Sequence, residues 1–141
     1  MRLDRSMTLV EVLAVVVILG LLAGTLLIGF SGTFGRAKHE IAKSGMGVVI
    51  TKLELYRLTH DSWPSTDVGL AALTDGHAKP NDAYYLNQGR LNDPWGRRFL
   101  FVTPGPDGHP YEVISYGADG QPGGDGENAD LSSVDLGRGE S

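Results

Sequence analysis

An almost uninterrupted apolar run extends from Met7 to Phe30, and Glu11 is the only charged residue within it. From Val12 to Phe30 about 19 residues carry no charge, and an α-helix of that length is roughly 28 Å long, close to the thickness of a bilayer core. The run therefore predicts a helix that crosses a membrane once. The alternative is a secretory signal peptide with an incidental glutamate. Against it, the run exceeds the ~7–15 apolar residues of such a peptide, and no small-x-small cleavage site followed by a clear mature start lies downstream.

The position of Glu11 needs a physical explanation, because a carboxylate at the centre of a membrane helix costs on the order of 2.5–3.5 kcal/mol. An α-amino group is a natural partner. If the chain is cut between Ser6 and Met7, Glu11 lies four residues from the new amino terminus, about one helical turn away. The amine of a neighbouring copy suits the same geometry. Both partners remain open at this point, and with a neighbouring amine Glu11 would set the stagger between subunits.

The apolar periodicity continues beyond this run and predicts a single helix from about Thr8 to about His60. Apolar or small residues recur at three- or four-residue spacing. They are Phe34, Ala37, Ile41, Gly45, Val48, Val49, Leu53 and Tyr56. No proline interrupts the chain before residue 64.

Three glycines, Gly20, Gly24 and Gly29, weaken the first half of this helix. Each lowers the helix propensity by about 1 kcal/mol relative to alanine. They mark a segment that melts locally on leaving lipid, or else Gly20 and Gly24 allow a close contact between two helices. The sequence leaves both interpretations open.

The rest of the chain predicts a small antiparallel sheet packed on the helix, an α+β fold. Residues 99–102 and 111–116 are rich in aromatic and β-branched residues, and the turn-forming residues 104–108 separate them. This pattern predicts a β-hairpin. Before it, residues 67–73 are predicted as a short helix capped by the hydroxyl group of Ser65 or Thr66.

Residues 117–130 form a glycine-rich segment with closely spaced side-chain oxygen atoms. Ca²⁺ requires six to eight oxygen ligands, and glycines allow a short loop to surround the ion. The ligand spacing of an EF-hand is missing, and acidic glycine-rich segments are often only mobile and solvated. Composition alone therefore leaves calcium binding and a solvated loop as alternatives.

Composition excludes several other classes of protein. The chain has 141 residues, enough for the helix and one small domain, and no cysteine for disulfides or thiolate metal sites. A net charge of −5 argues against a nucleic-acid-binding surface. The four histidines lack metal-ligand spacing, and no phosphate loop or nucleophile motif occurs, so we expect no enzyme.

The amino-terminal residues resemble the processing signal of type IV pilins and of the pseudopilins of type II secretion systems. A short charged leader, residues 1–6, precedes Met7-Thr8-Leu9-Val10-Glu11 and the apolar helix. The family usually has Gly at the position of Ser6 and Phe at that of Met7. The resemblance implies that a prepilin peptidase cuts before Met7 and methylates its amine, and that Glu11 serves in filament assembly.

Further motifs resemble the major pseudopilins of type II secretion systems, in the same order along about 125 residues. These motifs are residues 63–73, 93–96, 104–105 and 115–120. The resemblance implies a pilin-like fold and a structural calcium ion in a loop at about residues 115–131. By position, the carboxylates of Asp119 and Asp130 and the backbone carbonyl of Tyr116 are the implied ligands, with Asp125 and Asn128 as secondary candidates.

The resemblance also implies where the protein acts and what it assembles with. Residues 7–30 would anchor it in the inner membrane by a single pass, and residues 31–141 would form a periplasmic domain. Copies would polymerise into a filament that supports export of folded proteins, together with minor pseudopilins and an inner-membrane platform. The alternatives are a type IV pilin, a minor pseudopilin, or a membrane-anchored calcium-binding domain that does not assemble.

Overall fold

A computed structural model describes residues 6–137, apart from the side chains of residues 28–31. Residues 1–5 of the predicted leader and the last four residues of the predicted domain lie outside the described part. By its backbone contacts the chain divides into two compact units, Met1–Gly35 and Arg36–Ser141. They are described separately below.

Helix α1 spans Leu9–His60, 52 residues, and confirms the single long helix predicted from periodicity. Its end has a local cause. Asp61 adopts a left-handed conformation with φ of 55°, and its N–H group donates to the carbonyl oxygen of Arg57 at 2.7 Å. A left-handed residue directly after the last turn is a common way for a helix to stop.

The first unit consists of the amino-terminal part of α1 and the residues before it. An 18-residue window of this helix has a mean hydropathy of 2.8, so its length and composition allow it to cross a membrane. Its large apolar side chains are exposed, and Leu9, for example, is 90% accessible. Exposed apolar surface of this extent is favourable only against lipid or other protein.

In the second unit, α1 contributes a buried stripe of Ala42, Met46, Val49 and Leu53. The spacing of four, three and four residues places these side chains on one face. The predicted apolar face is therefore only partly correct, because Ala37 and Ile41 are exposed, Ile41 to 60%. The sequence contains two overlapping apolar stripes, and periodicity alone did not show which one the sheet would cover.

The sheet has three antiparallel strands in the order β1 Leu100–Val102, β2 Glu112–Ser115 and β3 Leu131–Ser132. Phe101 is opposite Val113, and Ile114 is opposite Ser132. The predicted hairpin is confirmed. The third strand was missed, since a strand of two residues carries no recognisable alternation.

One face of the sheet packs on α1 and the other is open. Val113 is fully buried and belongs to the same core as Met46, Val49 and Phe99, while Leu100 and Val102 are exposed. Trp63 and Phe101 both pack against Tyr111. Burial, with a smaller contribution from the Glu54 carboxylate, raises the pKa of Tyr111 to about 12.

The short helix predicted at residues 67–73 is a 3₁₀ turn at Gly69–Leu73, and the predicted side-chain cap is wrong. No side chain caps its start. Instead, the backbone carbonyl of Ser65 accepts from the Gly69 N–H group at 2.8 Å, and the Thr66 hydroxyl donates to the carbonyl of Thr103. The turn starts at Gly69, so Val68, whose side chain cannot accept a hydrogen bond, occupies the cap position in place of Ser65 or Thr66. A last helix, α2, spans Ser133–Leu136.

Candidate assembly segment and glycine-rich loop

The start of α1 is closed by a reciprocal pair of hydrogen bonds between Thr8 and Glu11. The Thr8 N–H group donates to Oε2 of Glu11 at 3.0 Å, and the Glu11 N–H group donates to Oγ1 of Thr8 at 3.3 Å. This arrangement is a capping box, in which two side chains satisfy two free backbone donors at a helix start. The signature was present in the sequence as Thr-x-x-Glu, but sequence reasoning considered only partners outside the helix.

The predicted processing residues lie just before this cap. Ser6 and Met7 are exposed and are not part of the helix. Glu11 has one carboxylate oxygen engaged with its own chain, and its Oε1 atom accepts no hydrogen bond from the described residues. The local structure therefore places an exposed, non-helical peptide bond about one turn from the Glu11 carboxylate, whose second oxygen is available to another partner.

The glycine-rich loop connects β2 to β3, and its two arms meet near Gly117. The Ala118 N–H group donates to the carbonyl of Glu127 at 2.9 Å. Gly117 has φ of 67°, and a Cβ atom there would lie 2.8 Å from the carbonyl oxygens of Glu127 and Ala129. Only glycine fits this close approach of two backbone segments.

The predicted ligands Asp119 and Asp130 both hold this loop by one carboxylate oxygen. Oδ1 of Asp119 accepts from the Gln121 N–H group at 3.1 Å, and Oδ2 of Asp130 accepts from the Gly123 N–H group at 2.8 Å. The other oxygen of each accepts no hydrogen bond within residues 6–137. These two atoms are of the hard, charged type that Ca²⁺ prefers.

The positions of the other predicted ligands give weaker support for metal binding. Tyr116 is half-buried next to the loop, and Asp125 and Asn128 are exposed. The backbone carbonyl of Asp125 accepts from the Asn128 N–H group at 3.0 Å. In the described ranges no three His, Cys, Asp or Glu side chains come together in a way that could hold a metal ion. A cation bound by Asp119 and Asp130 would therefore take its remaining ligands from other oxygen atoms, such as those of backbone carbonyl groups.

A further carboxylate, that of Asp93, was not predicted as a site residue but links the loop to the rest of the second unit. Asp93 is only 6% exposed. Its Oδ1 atom accepts from the N–H groups of Trp95 and Arg97 at 3.1 and 2.9 Å. Its Oδ2 atom accepts from the hydroxyl of Ser115 at 2.7 Å, and that hydroxyl in turn accepts from the Gly117 N–H group at 3.4 Å. This network joins the turn at residues 93–96 to β2 and the start of the loop.

Together, a membrane-compatible amino-terminal helix with one capped carboxylate, a small antiparallel sheet and a glycine-rich loop define a pilin-like filament subunit. Comparisons with known proteins identify which kind. The family profile described as "Type II secretion system (T2SS), protein G" matches residues 30–134. This chain belongs to that family.

Relatives over nearly the whole length agree with this assignment. The type II secretion system core protein G of Vibrio cholerae is 35% identical over 140 residues, covering 96% of this chain and 95% of the relative. The protein of the same name from Pseudomonas aeruginosa is 35% identical over 140 residues, covering 95% and 97%.

The fold also matches a solved structure. The crystal structure of the major pseudopilin from the type 2 secretion system of enterohaemorrhagic Escherichia coli is 26% identical, with a TM-score of 0.55, covering 75% of this chain and 94% of that one. The predicted α+β pilin-like fold and the predicted family are therefore confirmed. The chain is a structural subunit of a type II secretion pseudopilus, which assembles with other components of the secretion system.

Replacing Thr8 with Val removes Oγ1 at nearly constant volume and should loosen the first turn of α1. Loss of an N-cap hydroxyl costs about 0.5–2 kcal/mol, which corresponds to a factor of roughly 2–30 in an equilibrium constant. We expect the Glu11 amide of the protein in detergent micelles to exchange with deuterium faster by about this factor. In the control Thr25→Val, which removes a hydroxyl that donates to the Leu22 carbonyl, exchange at Glu11 should not change. Equal exchange in T8V and the unsubstituted protein would contradict the capping box.

Replacing Asp93 with Ala should strongly destabilise the second unit. The Ser115 hydroxyl and two backbone N–H groups lose their acceptor, at a cost of about 1–3 kcal/mol for each buried group left unsatisfied. We expect the free energy of unfolding in urea, followed by tryptophan fluorescence, to fall by roughly 3–5 kcal/mol.

Two further variants calibrate this measurement. Asp93→Asn keeps an acceptor at Oδ1 and should cost less than Asp93→Ala. Asp67→Ala removes a carboxylate from an exposed position and should change the stability by no more than about 0.5 kcal/mol. If D93A were as stable as D67A, the proposed network would not support the loop.

Proposed function

We propose that this pseudopilus subunit is made as a precursor in the inner membrane and is cut by a prepilin peptidase between Ser6 and Met7. Residues 7–30 would then form the single membrane anchor, and residues 31–141 the periplasmic domain. Three observations support this proposal. The Ser6-Met7 bond is exposed and precedes the helix, the following apolar side chains are exposed, and the helix is long enough to cross a bilayer. Basic residues lie on both sides of the run, so the orientation follows from the family resemblance and not from charge.

We further propose that mature copies polymerise into a filament through their apolar helices. The observation that carries this proposal is the position of Glu11, the single charge in an exposed apolar segment. In a free subunit the capping box satisfies Oε2 of Glu11. Oε1 is left for the α-amine of Met7 in an adjacent copy, and such a pair would be strong in the low dielectric of lipid or of a helix bundle. Only copies with the correct stagger would bring these two groups together.

The remaining partners follow from the same role. A filament that supports export of folded proteins needs minor pseudopilins and an inner-membrane platform, as the family resemblance implies. We propose no catalytic role and no nucleic-acid partner. Two of the four histidines, His60 and His39, pack on the aromatic rings of Tyr56 and Trp95.

We also propose that the loop at residues 115–131 binds Ca²⁺. Asp119 and Asp130 would provide carboxylate oxygens, and backbone carbonyls such as that of Tyr116 would complete the shell, with Asp125 and Asn128 as further candidates. Calcium would supply positive charge that holds the two arms together. The supporting observation is that both carboxylates anchor the same loop by one oxygen and have the second oxygen unused among the described residues.

The proposed role of Glu11 in setting the stagger between subunits is tested by a substitution that removes its charge and keeps its shape. Glu11→Gln keeps an acceptor for the Thr8 N–H group but loses the charge, so we expect sedimentable filaments from cells that overproduce the subunit to fall at least about tenfold, a loss of roughly 1.4 kcal/mol per contact. Glu11→Ala should remove them. The control is Glu40→Gln, which removes an exposed charge that forms an ion pair with Lys43 on the same helix. Filament yields from E11Q equal to those from E40Q would contradict an ionic register.

Calcium binding is tested by thermal unfolding of the full-length protein in detergent. With Ca²⁺ at about 100 times its Kd, the bound ion adds about 2.7 kcal/mol, so chelator should lower Tm by roughly 10 °C or more for a domain of this size. Added Ca²⁺ should restore it.

Substitutions at the two carboxylates show whether this response comes from the loop. Asp119→Asn retains the acceptor for Gln121 but loses the charge, and it should reduce the response to chelator, as should Asp130→Asn. Asp67→Asn should leave the response intact. Identical melting of the unsubstituted protein with and without chelator would rule out a stabilising calcium site.

A further inference from the structure

A positively charged side chain, that of Arg97, holds the glycine-rich loop in addition to the carboxylates described above. Nη1 of Arg97 donates to the carbonyl oxygen of Ala118 at 2.9 Å and to that of Gly117 at 3.3 Å. Both carbonyls belong to the arm that leads into Asp119. A charged donor strengthens such hydrogen bonds relative to neutral ones.

The position of Arg97 is itself fixed from two sides. Its N–H group donates to Oδ1 of the buried Asp93, and its carbonyl accepts from the Asp93 N–H group at 2.7 Å. A Cβ atom at Gly120, which has φ of 66°, would lie 2.4 Å from Nε of Arg97. The guanidinium group therefore lies directly against the backbone of the loop, in a space that only glycine leaves open.

The arm at residues 117–120 is thus enclosed between two partners. The guanidinium group of Arg97 lies on one side, and the carbonyls of Glu127 and Ala129 approach Gly117 closely on the other. The return arm, residues 121–128, is exposed throughout and accepts no hydrogen bond from Arg97 among the described residues. The incoming arm is therefore held by contacts within the protein.

We propose that Arg97 is a positioning residue that prearranges the Asp119 arm of the loop for calcium. Calcium binding then has to order only the return arm, and less of its binding free energy is used for ordering. This inference deepens the calcium role proposed above and rests on it. The hold of Arg97 on the loop does not, and it can be measured without any metal.

The test compares Arg97→Gln with Arg98→Gln in the full-length protein in detergent. Both variants lose one positive charge from adjacent exposed positions, but only Arg97 donates to the loop within the described residues. In chelator, we expect the amide of Ala118, which lies on the arm that Arg97 holds, to exchange about tenfold faster in R97Q, while amides in the middle of α1 keep their protection. In titrations with Ca²⁺ alone, we expect the Kd of R97Q to rise about tenfold. R98Q should differ from the unsubstituted protein by less than about twofold in both measurements.

A third variant and the possible outcomes make the test decisive. Arg97→Lys keeps the charge but not the planar fork, and its loop exchange should lie between those of R97Q and the unsubstituted protein. Loop exchange in R97Q equal to that of the unsubstituted protein would overturn the proposal, as would equal effects of R97Q and R98Q. Tighter calcium binding by R97Q would also overturn it, since the guanidinium group would then repel the ion. If the unsubstituted protein binds no Ca²⁺, the calcium role is wrong, and faster loop exchange in R97Q would still establish the hold of Arg97.

Discussion

A carboxylate in an apolar helix cannot remain without a partner, and this constraint on Glu11 connects the sequence, the structure and the role of this subunit. The capping box with Thr8 satisfies one oxygen within the chain. It therefore lowers the cost of placing Glu11 in lipid before any assembly, without using the whole carboxylate. A carboxylate with both oxygens hydrogen-bonded inside its own chain would favour no particular stagger between subunits. A carboxylate with one oxygen unpaired favours the stagger at which a neighbour supplies the missing partner.

In the second unit, a long polar loop is ordered without disulfides. Asp93, buried under the loop, organises the turn at residues 93–96 and reaches β2 through Ser115. Arg97 then extends from this turn to the loop backbone. The buried Asp93 thus holds the turn, and Arg97 at the surface of that turn holds the loop backbone. Through these two side chains the first residues of the loop are fixed to the core.

The sequence was informative wherever a local pattern determined the structure. The absence of proline and the 3.6-residue period predicted α1, and aromatic and β-branched segments predicted the hairpin. It was uninformative where partners are distant in the chain. The contacts of Asp93 with Ser115 and of Arg97 with Ala118 join residues more than 20 positions apart. Nothing in the local pattern around either residue identifies its partner. The exposed Ile41 is a similar case, because the choice between two apolar stripes depends on what packs against them.

The pairing of Glu11 with a neighbouring amine is the central claim, and solid-state NMR of assembled filaments tests it most directly. Filaments would be grown from a mixture of subunits, half with ¹⁵N at the Met7 amine and half with ¹³C at the Glu11 carboxylate. If these two groups form an ion pair, the filaments give an intermolecular signal from a separation within about 4 Å. Filaments that form normally but give no such signal, or whose subunits still carry residues 1–6, would contradict this pairing.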